Sequence, residues 1–551
     1  MAEKESDKKA VNDADMSSDE VRSPMYAALA VAFIAVVIGL PVWWLSTTTY
    51  RANLPYQEIQ ELATAQTNCL IPVAIVSCLS EEERTNLDNF QAELNALLQS
   101  DERSILSIQY TIDWQTCSLQ DQKILETSTS LAELDQSLSA SKDIPHGQFT
   151  IYLVSQGYKL LQSADSFVGT GRVAVATVKD SIVASLIRTR LVNEGAMTRA
   201  YLNAAGVRLD KADADSMRSL LSTPGYELSF SLLNPQPDTY NAQWNIQEAV
   251  QAYLNPFLHK LSEFAEFTVN SQVLYFTGLS IKPKHNEPDD SYHVSQNALP
   301  LVINPVEAKL GSHVSTNPSL NFLLYIPRSR HLPLYITDNT GEPVVTNAFL
   351  SPRWGGVMIQ NVPKPSENDT LPLTVEIDTR RAMEVFLAQL RLLIGIPQQV
   401  AQDKNIILAS PDQTGITDWE YDVLLRSRTI ENLATASSTL VSLAQLLNQI
   451  GNIVIRDDIA DQVYQAVSAI KQGHAYLQGG NLYRAFHDSK RAIAASEKAF
   501  FDPSLLELLY FPDDQKFAIY IPLFLPIGIP VLSSFYKALK WMKTKTKTKQ
   551  D

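Results

Sequence analysis

The chain's 551 residues carry 45 Lys and Arg against 60 Asp and Glu, a net charge of −15, so it lacks the basic footprint that nucleic-acid phosphates demand. Cys69, Cys78 and Cys117 are its only cysteines, too few and odd in number for a disulfide-built scaffold. The length exceeds what one core serves, which predicts two or three subdomains.

Residues 1–24 are charged and polar, with little to bury, and read as a disordered tail. Met25 to Leu45 follows, MYAALAVAFIAVVIGLPVWWL, about 21 residues without a charge and long enough to cross a hydrocarbon core about 30 Å thick as a helix. It is longer than the apolar stretch of a cleaved signal peptide and ends at Trp43 and Trp44, which suit a membrane interface, so it reads as an uncleaved signal anchor.

Within the stretch 46–225, from about Cys69 to Asn203, short β-rich runs alternate with helical patterns. Ile71–Ser77, Ile105–Ile112, Phe149–Val154 and Val173–Val178 read as strands, and Glu82–Leu98 and Asp180–Asn203 as helices. That alternation predicts an α/β subdomain. Cys69 and Cys78 flank the first strand and pair only if the chain bends back. A second α/β unit, richer in strand, covers 226–378, with strands at Tyr226–Leu233, Phe267–Phe276, Leu320–Ile326, Leu334–Ile336 and Leu373–Ile377 and a helix at Ile246–Phe264.

Residues 379–516 read as helical. Arg380–Ile394 stops at Gly395, with Pro397 beyond. Thr417 and Glu420 form a capping-box pattern opening a helix to about Ile450, apolar around much of its circumference and therefore buried. Asp458–Lys471 and Asn481–Phe500 are expected as a hairpin turning across Gly473 to Gly480, a single unit rather than a repeat array.

The second apolar run, Phe517 to Tyr536, carries Pro522, Pro526 and Pro530 at every fourth position. Each removes an N–H and strands a carbonyl one turn back, a cost in lipid that neighbouring helices must relieve, so these prolines are expected to mark a membrane-helix packing face. The basic tail 537–551 ends the chain. Its net charge is +5 and that of residues 1–24 is −3, leaving −17 for the rest. Lysines concentrate on the terminal side of each run, which places both termini in the cytosol and the body from Ser46 to Lys516 in the lumen. Lys547 and Lys549, three and five from the carboxyl end, match a di-lysine signal for endoplasmic reticulum retrieval. Asn368-Asp369-Thr370 is the one glycosylation sequon, in a Pro-, Ser- and Asp-rich loop of the predicted lumenal part.

The fold class expected is thus mixed α/β: lumenal α/β subdomains with a C-terminal helical region, held by two transmembrane helices. No metalloprotease, dithiol, nucleophile-elbow, phosphate-loop or dinucleotide motif occurs, the eight histidines are scattered singly, and Asp213-Ala214-Asp215 and Asp513-Asp514 read as solvated charge. No catalytic residue, metal or cofactor is expected. Ser351-Pro352-Arg353-Trp354-Gly355-Gly356 is a candidate interface loop, with Trp354 as a stacking surface or, alternatively, a core residue beneath a tight turn.

Long stretches of the chain resemble the PIG-S family, a subunit of the GPI transamidase of the endoplasmic reticulum: GLPVWW with TYRANLPY, FSLLNP, INPVEAKLG, TNAFLSPRWGG, NIVIRDDIADQVYQAV and FFDPSLLELLYFPDDQKFAIYIPLFLP among them. They cover both apolar runs and most of the region from Tyr226 onward; Cys69 to Val207 matches only in general pattern. The resemblance implies a non-catalytic scaffold in the complex that joins proprotein carboxyl ends to preformed GPI lipid. The nucleophilic cysteine would belong to a PIG-K-like partner, with PIG-T, PIG-U and a GPAA-type subunit alongside. The competing class is a free-standing lumenal hydrolase or glycosyltransferase tethered at both ends, which requires an acidic or metal-binding constellation in a cleft.

Overall fold

The computed structural model describes residues 26–27, 29–79, 83, 87–99, 106–206, 223–280, 282–310, 317–396, 405–411, 413–450, 453–506, 518, 520–522, 524–526 and 528–536. The chain divides into two units: 64–438 with 468–493, and 1–63 with 439–467 and 494–551.

The larger unit is α/β, as the alternation predicted. Its first sheet contains β1 (Thr67–Ser77), β2 (Leu106–Thr116), β3 (Phe149–Val154), β4 (Ser166–Val168) and β5 (Val173–Thr177). FTIYLV in β3 and VAVAT in β5 are buried at every position, which is why they read as continuous apolar runs: strands covered on both faces need no wet side. β1 lies between β2 and β3, parallel to both, and β3 pairs parallel with β5. The chain therefore reverses its direction of travel across the sheet at β1. Crossover helices Leu119–Thr127 and Leu131–Ser141 begin at Ser118 and Ser130, whose hydroxyls accept the N–H groups of Asp121 and Glu133. The expected helix Asp180–Asn203 is interrupted: Asn193 takes a left-handed conformation and caps a new helix, Glu194–Ala204.

The second sheet is built from β6 (Gly225–Asn234), β8 (Glu266–Tyr275), β11 (Ser319–Tyr325), β13 (Ala348–Ser351) and β14 (Gly355–Ile359), in the order β13-β14-β11-β6-β8. Between them lie β7 (Tyr240–Gln243), β9 (Lys284–Asn286), β10 (Ser291–Ser295) and β12 (Leu334–Thr337); β15 (Leu373–Glu376) pairs with β7, and β12-β10-β9 form a small sheet. One face of the large sheet packs Phe230 and Phe322 against Phe386 of the helix Thr379–Ile394, with ring centroids 5.3–5.8 Å apart. That helix starts at Asp378, which accepts the Arg381 N–H, and stops at Gly395 with φ +95°, the expected left-handed stop. β16 (Ile406–Leu408) returns to the first sheet beside β4, so the edge of the first sheet is completed by residues far along the chain.

The capping box is present: Thr417 N–H donates to Glu420 at 3.0 Å and Glu420 N–H to the Thr417 hydroxyl at 3.4 Å, opening the helix Asp418–Gln449. The hairpin turn predicted across Gly473 to Gly480 is confined to the far end of that span. The helix Asp457–Gln478 runs straight through Gly473, and the turn is Gly479–Asn481 before the helix Leu482–Phe500. Gly473 is there for packing: a Cβ would lie 2.8 Å from the Leu433 side chain.

In the smaller unit the segment after the first apolar run is strapped down. Ala52 N–H reaches Ile455 O at 2.9 Å, Ile455 N–H reaches Tyr50 O at 3.1 Å, and the Arg51 guanidinium donates to Leu447 O. Among the described residues no helix is long and apolar enough to cross a membrane. In the first run a π-helical turn, Ala35–Gly39, precedes the helix Leu40–Thr47; Pro41 lacks the N–H that would otherwise bond back to Val37.

Candidate functional site

The polar chemistry of the larger unit converges on one interior point. Asp422, in the first turns of the helix Asp418–Gln449, is fully buried. Arg172, just ahead of β5, grips its carboxylate with two bonds of 2.7 and 3.1 Å. His146 Nδ1 lies 3.1 Å from it and Gly147 N–H donates at 3.0 Å. One turn on, the buried Arg426 donates to Gly147 O (2.9 Å) and Leu191 O (3.3 Å) with its guanidinium 4.9 Å from the Phe149 ring. At the helix start Lys260 binds Asp418 at 2.7 Å. Burial opposes the Asp422 charge, but hydrogen bonds from His146 and Arg172 and the charges of Arg172 and Arg426 outweigh it and hold the carboxyl below the usual range. Burial likewise pulls Arg426 down, with Asp422 opposing. With every oxygen of Asp422 engaged, the cluster fastens the long helix to the first sheet. Sequence reasoning missed it; its trace was Asp422 and Arg426 one turn apart in the otherwise apolar stretch YDVLLR.

The cysteines divide between two roles. Cys78 and Cys117 form a disulfide. Cys69 and Cys78 do not pair, because the chain between them does not bend back: Cys69 lies inside the extended strand β1. The parallel register instead sets Ser77 opposite Thr116 and brings the next two residues together. Cys69 is a buried free thiol, pushed up to about 11 by burial, with the Arg426 charge opposing, the reverse of what a nucleophile requires. Among the described residues no group of three or more His, Cys, Asp or Glu is placed to hold a metal ion.

The candidate interface loop is a tight β13–β14 hairpin. Pro352 and Arg353 are exposed, with Arg353 at φ +61°, while Trp354 is half-buried against the core that includes Leu233, Leu323 and Val357. Its glycines serve the interior: a Cβ on Gly355 would fall 1.9 Å from Asn321 O, and one on Gly356 1.8 Å from Gln389 Oε1. Asn368 is exposed in a turn where Asp369 N–H reaches Ser366 O at 3.2 Å. Lys547 and Lys549 lie outside the described residues, as do the tail 1–24, Asp213, Asp215, Asp513 and Asp514.

In the smaller unit the two apolar runs meet. Trp43 packs edge-on against Tyr520 at 5.7 Å and Phe524 at 6.2 Å. Pro522, Pro526 and Pro530 are helical and exposed. Pro522 stands two positions from both Tyr520 and Phe524, and Pro526 two from Phe524, about 200° around the helix, so these prolines turn away from Trp43.

These features describe a mixed α/β protein whose buried polar side chains join elements to one another, with an apolar run near each end paired through Trp43. The chain belongs to the PIG-S family. The family described as PIG-S, phosphatidylinositol-glycan biosynthesis class S protein, matches residues 30–545. The chain is 44% identical to the Homo sapiens GPI-anchor transamidase component PIGS over 533 residues, covering 94% of this chain and 95% of that protein. It is 44% identical to the Bos taurus protein of the same name, with 93% and 94% covered. The Saccharomyces cerevisiae GPI transamidase component GPI17 is 25% identical over 94% of this chain and 92% of its own length.

Proposed function

We propose that this chain is a non-catalytic scaffold subunit of the GPI transamidase of the endoplasmic reticulum, supporting attachment of preformed GPI anchors to the carboxyl ends of proproteins. The observation that carries this reading is family membership running through both apolar runs and the whole body between them. Both runs cross the membrane, both termini are cytosolic, and the body is lumenal. The Cys78–Cys117 disulfide favours that placement, since an oxidising lumen keeps such bonds. The buried, raised thiol of Cys69 is in keeping with a nucleophile supplied by another chain. The partners are a PIG-K-like catalytic subunit, PIG-T, PIG-U and a GPAA-type subunit. The proline face of the second run packs against one of their helices, Asn368 carries a glycan, and Lys547 and Lys549 serve retrieval.

The test is affinity purification of the tagged full chain from detergent-solubilised membranes, with protease added to sealed microsomes in parallel. The expected result is recovery of the transamidase subunits together with a protected central body. Recovery of the chain alone, or digestion of that body from outside, overturns the proposal.

A further inference from the structure

Among the described residues the second sheet ends in an open edge. β8 pairs in parallel with β6 along its whole length, Gly225 opposite Glu266 to Asn234 opposite Tyr275, without a bulge. Among the described residues no strand lies on its other side. Glu266 N–H binds Pro224 O and Phe276 N–H binds Asn234 O, both at 2.9 Å, so the even-numbered residues face β6. Backbone groups alternate in a parallel pair, which turns the N–H and C=O of Phe267, Val269, Ser271 and Val273 outward.

Apolar side chains at the far end of this ladder are exposed. The odd-numbered residues of β8 lie in register with Tyr226, Leu228, Phe230 and Leu232, and all but Ser271 are apolar. At that far end Val273 is 39% exposed and Tyr275 57%, with Phe276 following at 70%. Soluble proteins guard such edges with lysine, proline, bulges or shortness. The strand EFTVNSQVLY has no lysine or proline, and it is ten residues long where the edge strands β13 and β16 have four and three. The other long edge, β2, carries Asp113 midway and has the helix Glu194–Ala204 beside it, with Glu194 bound to the Tyr110 hydroxyl.

We propose that β8 is a docking edge which an extended segment of another transamidase subunit completes as a sixth strand, resting on the reading of this chain as a subunit. A row of N–H and C=O groups about 33 Å long, otherwise left to water, is matched residue for residue by another strand. The exposed Val273 and Tyr275 select a strand with apolar residues at alternate positions.

The test measures amide hydrogen exchange of 267–275 in the full-length chain, alone in detergent and within the assembled complex. Amides of Phe267, Val269, Ser271 and Val273 are expected to exchange freely in the isolated chain and about a hundredfold more slowly in the complex, as backbone pairing requires. A photoreactive residue at Tyr275 is expected to cross-link to a single component. Ser271→Pro deletes one outward N–H, and Val273→Lys puts a charge on a part-exposed side chain beside the edge; each is expected to lower recovery of that component about tenfold, the first by a lost backbone bond and the second by a charge left unpaired in the contact, with the melting transition of the isolated chain retained. Edge amides that stay open in the complex overturn the proposal. So does protection already present in the isolated chain, which means a segment of its own covers the edge if concentration-independent and a second copy if concentration-dependent. If no transamidase component travels with the native chain, the subunit reading falls and this inference with it; if components are recovered and the edge stays open, only this inference falls.

Discussion

Replacing Asp422 with asparagine keeps the shape of the buried clamp and removes its charge. The carboxylate accepts two bonds from Arg172 and one from the Gly147 amide and faces His146. Its loss leaves the largely buried Arg172 with Asp418 at 3.8 Å as its remaining acidic partner and the fully buried Arg426 with none of the compensation Asp422 supplied. Breaking one member of a buried ion pair costs about 3–5 kcal/mol, so Asp422→Asn should lower stability by about that amount. Urea titration followed by pulse proteolysis of the full chain reads this as a fall in midpoint. The pH dependence supplies a second reading. A carboxyl held below its unfolded value of about 3.9 stabilises the fold above that value, and the contribution is lost as pH falls through the lower folded value. The native chain should therefore lose this stability in acid below about pH 4, whereas Asp422→Asn should lack that component of the profile. A midpoint within about 0.5 kcal/mol of the native chain, the range of ordinary surface substitutions, would refute the clamp.

Cys78→Ser should cost about 4 kcal/mol in the chain-entropy account of a 39-residue separation, and non-reducing gels should lose the mobility shift of the native chain, while Cys69 stays inert to maleimide until unfolding. Gly356→Ala should destabilise by about 1–3 kcal/mol because its Cβ would meet Gln389 Oε1; thermal melts of Gly356→Ala with and without Gln389→Ala measure the relief on removing that side chain. Thr417→Ala should cost about 1 kcal/mol by opening the capping box, read by the same melts. Asn368→Gln should abolish the endoglycosidase-sensitive shift of the protein made in cells, and an unchanged shift would place the glycan elsewhere.

Local physics accounts for what was legible. FTIYLV and VAVAT announced strands because a strand buried on both faces is apolar throughout. Thr417 with Glu420 and Gly395 marked helix ends because those groups satisfy or terminate the backbone within a few residues. Gly473 misled for the same reason: a glycine signals a turn locally, while the demand it meets here, close approach of Leu433, arises from a helix some forty residues away. The glycines of the Trp354 loop behave likewise, making room for Asn321 and Gln389.

By itself the sequence determined the apolar runs with their flanking charge, the alternation that makes an α/β body, and the family, since each is written in neighbouring residues. Only the tertiary structure decided that Cys78 takes Cys117, that Asp422 is clamped by Arg172 from 250 positions away, that Trp43 meets Tyr520 and Phe524, and that β8 is an edge strand among the described residues. Those facts depend on strand order and register, set by the burial of whole sheets and helices rather than by any residue's near neighbours in the chain.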